Sequence, residues 1–303
     1  MTNKVLVTGA SGFIGTHTIA EAYHRGLGVV AFDRYNIPGQ FPYDVERFVG
    51  DIRDYEAVQE AVNKVDYVVN LAGILGTQET IRKPIPSIQT NIVGTLNVLE
   101  AMVPNAFHEV QGVQIGVGNY WMNNSYSITK STAIRFCKMY NKENGTKMGM
   151  VRALNAYGRG QKHKPVRKII PTFVVRALRD ENIEVYGDGE QIMDMIHVTD
   201  VAKVLLDVAT GGSNIDYQKV YEAGTGCRTT VNWIAEQVIK AAGTKSQLVH
   251  IPMRPGEPKG SVVIGDPSTL DDLGKRDFVE FEEGIQNTVD WYRENYKWQT
   301  ESS

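Results

Sequence analysis

The chain is poor in cysteine and has almost no net charge. Its two cysteines, Cys137 and Cys227, lie far apart, without paired spacing or a neighbouring histidine cluster. This argues against a disulfide framework and against a metal site. The 32 Lys and Arg side chains are outnumbered by 35 Asp and Glu, which gives a formal net charge of −3. The basic excess of a dedicated nucleic-acid binder is therefore missing. We therefore expect a small-molecule partner and no nucleic acid.

Long apolar runs are also missing. No apolar stretch reaches the roughly 18 residues that a membrane-spanning helix needs. Residues 1–3 lead directly into a strand, without the basic segment and apolar core that are typical of a signal peptide. We expect a soluble cytoplasmic protein that is neither exported nor bound to a membrane.

Glycines follow the first predicted strand, residues 4–8, and an apolar helix comes next. Gly9 permits a sharp exit from the strand, Gly12 lets backbone N–H groups approach a phosphate, and Gly15 lets the helix lie close to the sheet. The positive end of this helix favours an anion. The order of strand, turn and helix predicts a dinucleotide site, and the alternative is a turn with no ligand. The predicted contacts are Gly9, Ser11, Gly12, Phe13, Ile14 and Gly15.

The second predicted strand, residues 28–32, is apolar and closes on Asp33. A carboxylate at this point can accept hydrogen bonds from both ribose hydroxyls of adenosine, and it repels a 2′-phosphate. The sequence therefore favours NAD over NADP. Two alternatives stay open: Arg34 could bind a phosphate, and Asp33 could be an ordinary turn residue at the end of a strand.

Strands and helices alternate along the first half of the chain. Strands are predicted at residues 47–49, 66–73 and 113–117, and helices at 55–64 and 88–102. This pattern predicts an α/β fold with a doubly wound parallel sheet and right-handed crossovers. Asp51 and Ile52 could bond the adenine amino group and pack on its face. The strand predicted at 66–73 ends with Leu71, Ala72 and Gly73, and the small residues at this end leave room for a cofactor.

Tyr126 and Lys130 lie four residues apart at the start of a predicted helix that runs to about Asn144, so they share one helix face. A free phenol has a pKa near ~10 and is a poor base at neutral pH. A neighbouring ammonium and an oxidised nicotinamide would both stabilise the phenolate. Tyr126 could then take a proton from a substrate hydroxyl, while Lys130 bonds the nicotinamide ribose. The alternative is a pair of ordinary surface residues.

With these motifs in place, the chain resembles the extended short-chain dehydrogenases/reductases of the nucleotide-sugar epimerase and dehydratase type, the group that includes UDP-galactose 4-epimerase. The matching stretches run nearly from end to end. They are residues 8–15, 51–52, 70–73, 91 with 94–95, 126–130, 152–158, 185–189, 197–198 with 200, and 254–256.

The resemblance implies a Rossmann-type NAD-binding domain over residues 1–161. Residues 162–303 would mainly form a smaller C-terminal α/β substrate lobe, with segments around 193–209 returning to the first domain. Asn91 would join the cofactor site. Asn155 and Val185 would contact a nucleotide-sugar, and Arg254 would bind its diphosphate, a role that suits a planar cation. Relatives dimerise through the helices at 88–102 and 126–144, so we expect a homodimer.

Two departures from the family pattern concern the substrate. Relatives usually carry Ser or Thr at the end of the fifth strand, but residues 115–119 contain no hydroxyl and no Thr-Asp-Glu triplet of the 4,6-dehydratases. Asn119 is the candidate replacement donor, with Asn123, Asn124 and Ser125 as alternatives. Met193 stands where relatives place a diphosphate-binding arginine. A basic run nearby in sequence could substitute for it or form a solvated loop: Lys162, Lys164, Arg167 and Lys168.

The leading hypothesis is therefore an NAD-dependent enzyme that transiently oxidises carbon 4 of a nucleotide-sugar, a UDP-sugar first, and acts as a 4-epimerase. A dehydratase of the 4,6- or 5,6-type is the nearest alternative. An NAD(P)H-dependent sugar reductase and a catalytically silent nucleotide-binding protein are further ones.

Overall fold

Seven parallel strands form the large sheet of the computed structural model, which describes residues 2–35, 41, 44–81, 84–106, 108–253 and 260–296. Fourteen strands are described in all: β1 (Lys4–Thr8), β2 (Gly28–Asp33), β3 (Glu46–Val49), β4 (Tyr67–Asn70), β5 (Gln111–Val117), β6 (Lys147–Ala153), β7 (Asn155–Tyr157), β8 (Ile183–Tyr186), β9 (Ile192–Met193), β10 (Met195–His197), β11 (Tyr221–Ala223), β12 (Thr229–Thr230), β13 (Leu248–Ile251) and β14 (Val262–Val263).

The large sheet has the strand order β11-β6-β5-β4-β1-β2-β3. The chain builds outward from β1 in one direction through β2 and β3, and then in the other direction from β4. A parallel sheet of this kind binds ligands at the carboxyl ends of its strands, where the order reverses. The predicted Rossmann-type, doubly wound sheet is confirmed, and the crevice between β1 and β4 locates the site.

Nine α-helices are described, and some of them cover both faces of this sheet. They are α1 (Phe13–His24), α2 (Tyr55–Val62), α3 (Pro84–Ile88), α4 (Gly94–Ala101), α5 (Ser125–Glu143), α6 (Ile169–Leu178), α7 (Val198–Thr210), α8 (Val231–Ala242) and α9 (Phe281–Asn295). One face packs on α1 and α7, with Ile19 and Leu205 buried beside Val5. The other face packs on α2, α4 and α5, where Leu99 and Ile134 are buried. Burying these apolar faces is the main favourable term for the domain.

A second core lies in the part of the chain that follows β7. There α6, α8 and α9 enclose the short parallel pair β8 and β13, and Val185 and Val238 are fully buried. β9 lies between β12 and β14 in a small sheet of its own, and β10 pairs with β7. The chain then returns to the large sheet: α7 covers β4, β5 and β6, and β11 adds an edge strand beside β6.

One helix differs from its prediction. We expected a helix over residues 88–102, but the helical segment begins four residues earlier, with Pro84 at the first position of α3. A proline is compatible with this position because the first helical N–H has no intrahelical acceptor. Between α3 and α4 the backbone widens into a π-helical turn over Gln89–Val93, and Asn91 is at its centre. Such turns are frequent at functional sites.

None of the described helices combines the length and the apolar character required to cross a bilayer. Over the same residues, no three His, Cys, Asp or Glu side chains gather in a way that could hold a metal ion.

Candidate active site

The glycine turn between β1 and α1 is packed as its sequence predicts. Gly9 has a φ of +66°, and a Cβ there would lie 2.9 Å from the backbone N of Ala72. A Cβ on Gly15 would lie 2.4 Å from the carbonyl oxygen of Gly9, so only glycine lets the helix approach the turn this closely. Gly12 is the N-cap of α1 and supplies no side-chain cap, and the first turn contains no acidic residue. The positive end of α1 is therefore free to face an anion.

Asp33 lies beside this turn at the end of β2. One oxygen of its carboxylate accepts a hydrogen bond from the backbone N–H of Ser11, at 2.9 Å, and the other accepts one from Tyr35, at 3.3 Å. Each oxygen keeps a further lone pair. The carboxylate can thus bond the two hydroxyls of an adenosine ribose while it orders the glycine turn. Arg34 follows it at the surface, 5.4 Å from the ring of Tyr35.

Asp51, which we expected near the adenine, is engaged by a neighbour. Arg53 donates from Nε and Nη2 to its two carboxylate oxygens, at 2.9 and 2.6 Å. This contact is the main reason why the pKa of Asp51 lies below its usual value, against the opposing effect of burial. The backbone of Ile52 is held separately, because Asn97 donates to its carbonyl at 3.0 Å. An adenine amino group would have to share Asp51 with Arg53.

The loop after β4, residues 71–73, is linked by hydrogen bonds to the end of β1 and, through the next residue and Asn91, to the helix that carries Tyr126. We call it the β4 loop. The hydroxyl of Thr8 accepts hydrogen bonds from the backbone N–H groups of Leu71 and Ala72, at 3.1 Å each. One residue further on, the Asn91 amide accepts from the N–H of Ile74, at 2.8 Å, and donates to its carbonyl, at 2.9 Å. It also donates to the Thr129 hydroxyl on α5, at 2.9 Å.

These bonds place the first turn of α5 next to the cofactor crevice. Thr129 precedes Lys130 on this helix, and its hydroxyl donates to the carbonyl of Ser125, at 2.7 Å, with the carbonyl of Tyr126 as the more distant acceptor, at 3.1 Å. The Asn91 amide is fully engaged with protein groups, so its predicted role in cofactor binding amounts to holding the β4 loop and α5 together.

Tyr126 and Lys130 both lie in a desolvated environment. Tyr126 is half-buried, and burial raises its pKa to about 12. Lys130 is 4% exposed, and burial lowers its pKa to about 8. We expected the ammonium to lower the pKa of the phenol, but in the structure burial sets the direction for both groups. Among the described residues the Lys130 ammonium has no hydrogen-bond or ion-pair partner. A buried ammonium without a partner is costly, which favours a ligand that supplies one.

No Ser or Thr stands at the end of β5, and the candidate donor there is the side-chain amide of Asn119. Asn119 is partly buried, and its side-chain oxygen accepts a hydrogen bond from the hydroxyl of Ser127, at 3.4 Å. Ser127 directly follows Tyr126, so this contact links Asn119 to the start of α5. Asn124 serves instead as the N-cap of α5, where it accepts from the N–H of Ser127 at 2.9 Å. Both side chains therefore bond Ser127, but Asn124 is used as the helix cap, whereas Asn119 bonds only the Ser127 hydroxyl on this helix.

The predicted substrate residues lie in different environments. Asn155 faces the residue between β9 and β10, where its amide donates to the carbonyl of Asp194 at 3.0 Å. The side chain of Val185 is fully buried in the second core, so a contact with substrate can come only from its backbone. Met193 packs against the same core. In the basic run, Arg167 donates to the Tyr186 hydroxyl at 3.3 Å, beside Val185. Arg254 lies outside the described residues.

Asp194 is a residue that the sequence did not single out. Its carboxylate is fully buried and accepts four hydrogen bonds, at 2.7–3.0 Å, from the N–H and hydroxyl of Thr225 and from the N–H groups of Gly226 and Gly265. It therefore joins three segments at the substrate side of the sheet. The only sequence signal was an acidic residue between the apolar side chains of Met193 and Met195.

Comparisons with known proteins agree with this geometry. A model of the NAD dependent epimerase/dehydratase family matches residues 5–224. UDP-N-acetyl-α-D-glucosaminuronate decarboxylase from Bacillus cytotoxicus is 28% identical over 97% of this chain and 99% of its own. dTDP-glucose 4,6-dehydratase from Streptomyces antibioticus is 29% identical over 97% and 94%.

Among solved structures, the NAD complex of UDP-glucose 4-epimerase from Thermus thermophilus superposes with a TM-score of 0.84, at 27% identity, over 96% of this chain and 99% of that one. The similarity thus runs the length of the chain in every case, while the named reactions differ from one relative to the next.

Proposed function

Because the chain belongs to the NAD-dependent epimerase/dehydratase family, we propose that it inverts carbon 4 of a nucleotide-sugar, with a UDP-sugar as substrate. It is an NAD-dependent enzyme, and its relatives act on nucleotide-sugars. The observation that carries the finer proposal is the pair formed by Tyr126 and Lys130. Both lie in the first turns of α5, beside the cofactor crevice. Lys130 as a whole residue is 4% exposed, and its ammonium has no hydrogen-bond or ion-pair partner among the described residues.

The residues around the crevice fit the cofactor. The uncapped end of α1 at Gly12 suits the pyrophosphate, and the Asp33 carboxylate suits the adenosine ribose. The orphan ammonium of Lys130 suits the hydroxyls of the nicotinamide ribose. Bound NAD supplies a reversible two-electron oxidant for the sugar.

The chain's own residues move the proton. Tyr126 accepts the proton of the carbon 4 hydroxyl as the sugar is oxidised, and it returns this proton when the inverted alcohol forms. The phenolate needs a nearby positive charge, since burial alone raises the pKa of Tyr126 to about 12. Lys130 supplies that charge one helical turn away, and the Asn119 amide can hold the sugar oxygen at the end of β5.

An epimerase is favoured over a dehydratase by the residues near the phenol. Elimination of water from a sugar needs an acid and a base beyond the group that removes the hydroxyl proton. Residues 115–125, which connect β5 to α5, contain no Asp or Glu. The buried carboxylate of Asp194 is committed to four donors of the protein. Inversion at carbon 4 requires no such additional group.

The test is an NMR assay of the purified enzyme with UDP-glucose, UDP-galactose, UDP-N-acetylglucosamine and UDP-glucuronic acid, followed by the GDP, dTDP and CDP counterparts. We expect one UDP-sugar to equilibrate with its carbon 4 epimer, with no net absorbance change at the nicotinamide band. A 4-keto-6-deoxy product would identify a dehydratase, loss of CO₂ a decarboxylase, and a stoichiometric absorbance change a reductase. Unchanged sugars across all panels would contradict catalysis.

We also propose that two chains pair through α3, α4 and α5. Apolar side chains are exposed along this surface: Ile85, Ile88, Val93, Ile128 and Met139. Monomeric proteins seldom leave neighbouring apolar groups of this kind in water. Multi-angle light scattering should give twice the chain mass of 33.7 kDa, and Ile128→Lys should lower it toward one chain. A wild-type protein of single-chain mass would contradict the pairing.

A further inference from the structure

A row of buried polar side chains crosses the centre of the large sheet, just below the cofactor crevice. Thr8, Asn70 and Gln114 stand side by side on β1, β4 and β5, as the register pairs Thr8 with Asn70 and Asn70 with Gln114. Each is at most 1% exposed. We call these residues the polar row. Polar groups at such depth are costly unless they are bonded to each other.

The hydrogen bonds of the polar row run in one direction. Gln114 donates from Nε2 to the carbonyl of Ile115, at 3.0 Å, so its oxygen points toward β4. That oxygen accepts from Nδ2 of Asn70, at 2.7 Å. The oxygen of Asn70 then accepts from the hydroxyl of Thr8, at 2.5 Å. The Ile115 carbonyl sets the orientation of the Gln114 amide, and the Gln114 oxygen in turn sets the orientation of the Asn70 amide.

This direction matters at Thr8. A hydroxyl oxygen has one proton to donate and two lone pairs. Thr8 gives its proton to Asn70 and uses its lone pairs for the N–H groups of Leu71 and Ala72, which begin the β4 loop. If the Asn70 amide turned over, its NH₂ group would face Thr8 and compete for a lone pair. One of the two N–H groups of the β4 loop would then lose its acceptor.

We propose that Gln114 is a positioning residue for dinucleotide binding. It makes no direct contact with the β4 loop, but it fixes the Asn70 amide, and through Thr8 it holds the loop against Gly9. This loop forms one wall of the crevice, and the residue that follows it, Ile74, bonds Asn91. A loop that is fixed before binding saves the ordering cost that a loose one incurs when the cofactor binds.

The test is the affinity for NAD, measured by titration calorimetry after removal of any co-purified cofactor. Gln114→Met keeps the shape of the side chain and removes the acceptor for Asn70. We expect its Kd for NAD to rise about tenfold, the effect of leaving one buried amide unsatisfied. Amide hydrogen exchange at Leu71 and Ala72 should accelerate in parallel. Neither readout depends on turnover, so failure of the proposed epimerase activity would leave this test intact.

Gln111→Met is the matched control. Gln111 lies on the same strand about 10 Å away, at the opposite end from the crevice. The same substitution there should leave the Kd for NAD unchanged.

A double-mutant cycle separates positioning from a general loss of stability. Thr8→Val should weaken NAD binding about as much as Gln114→Met. The double variant should be no worse than either single one, because Gln114 acts through Thr8. If the two effects add, or if Gln114→Met binds NAD like the wild type, the proposal is overturned. If Gln114→Met fails to fold, Gln114→Asn replaces it: this amide is one methylene too short to reach Asn70, and the same outcomes decide.

Discussion

Replacing Tyr126 by Phe should lower kcat by about 10³-fold, a typical loss when a general base is removed. The variant should bind NAD with unchanged affinity, because the contacts we assign to the dinucleotide phosphates and the adenosine come from the glycine turn and Asp33. The fold should persist, since the Tyr126 hydroxyl has no hydrogen-bond partner among the described residues. The rate follows from the NMR assay, and the Kd for NAD from titration.

Tyr140→Phe is the matched control for this variant. Tyr140 is on the same helix, and its hydroxyl donates to the carboxylate of Glu100 on α4. The chemical change is identical but lies about 20 Å along the helix. It should leave kcat and NAD affinity close to those of the wild type. Full activity in Tyr126→Phe would remove the phenol from the mechanism.

Replacing Asp194 by Asn should have the largest effect on stability. The substitution turns one acceptor oxygen into an NH₂ group, which would face N–H donors from the Thr225–Gly226 turn or from Gly265. Each buried donor left without an acceptor costs about 1–3 kcal/mol. We expect the free energy of unfolding to fall by about 3 kcal/mol, measured by urea denaturation.

The same variant should bind its nucleotide-sugar less tightly. The carbonyl of Asp194 accepts from the backbone and the amide of Asn155, so a disturbed turn also moves a predicted substrate residue. KM should rise more than kcat falls. Asp200→Asn is the control: Asp200 is also buried, but among the described residues its carboxylate is bonded by one backbone N–H, from Val279, and by Lys203. A loss below about 1 kcal/mol in Asp194→Asn would contradict this account.

The parts of the site that could be predicted are those formed by residues close together in sequence. The glycine turn, the carboxylate after β2, and the Tyr and Lys one helical turn apart each lie within a few consecutive residues. Their spacing alone therefore specifies their geometry. The alternation of strands and helices predicted the sheet in the same way. The π-helical turn around Asn91 was not predicted, because the apolar spacing of residues 88–102 indicates a helix without showing a change in its winding.

The parts that could not be predicted depend on partners distant in sequence. Gln114 bonds a residue 44 positions away, and the donors to Asp194 lie 31, 32 and 71 positions from it. A single polar residue within an apolar strand signals that partners exist but does not identify them. Val185 is a different case: its place in a family motif suggested contact with substrate, and its alternation within β8 points its side chain into the core, so the predicted contact is left to its backbone.

The return of α7 and β11 to the large sheet has a consequence for how such proteins can be divided. A fragment ending at residue 161 would leave the surface that Leu205 covers in water, and the edge of β6 without its neighbouring strand. Exposed apolar surface and open strand edges both promote aggregation. Recombination between relatives therefore cannot exchange the substrate half at a single crossover, and a functional chimera has to carry residues 198–223 together with the N-terminal half.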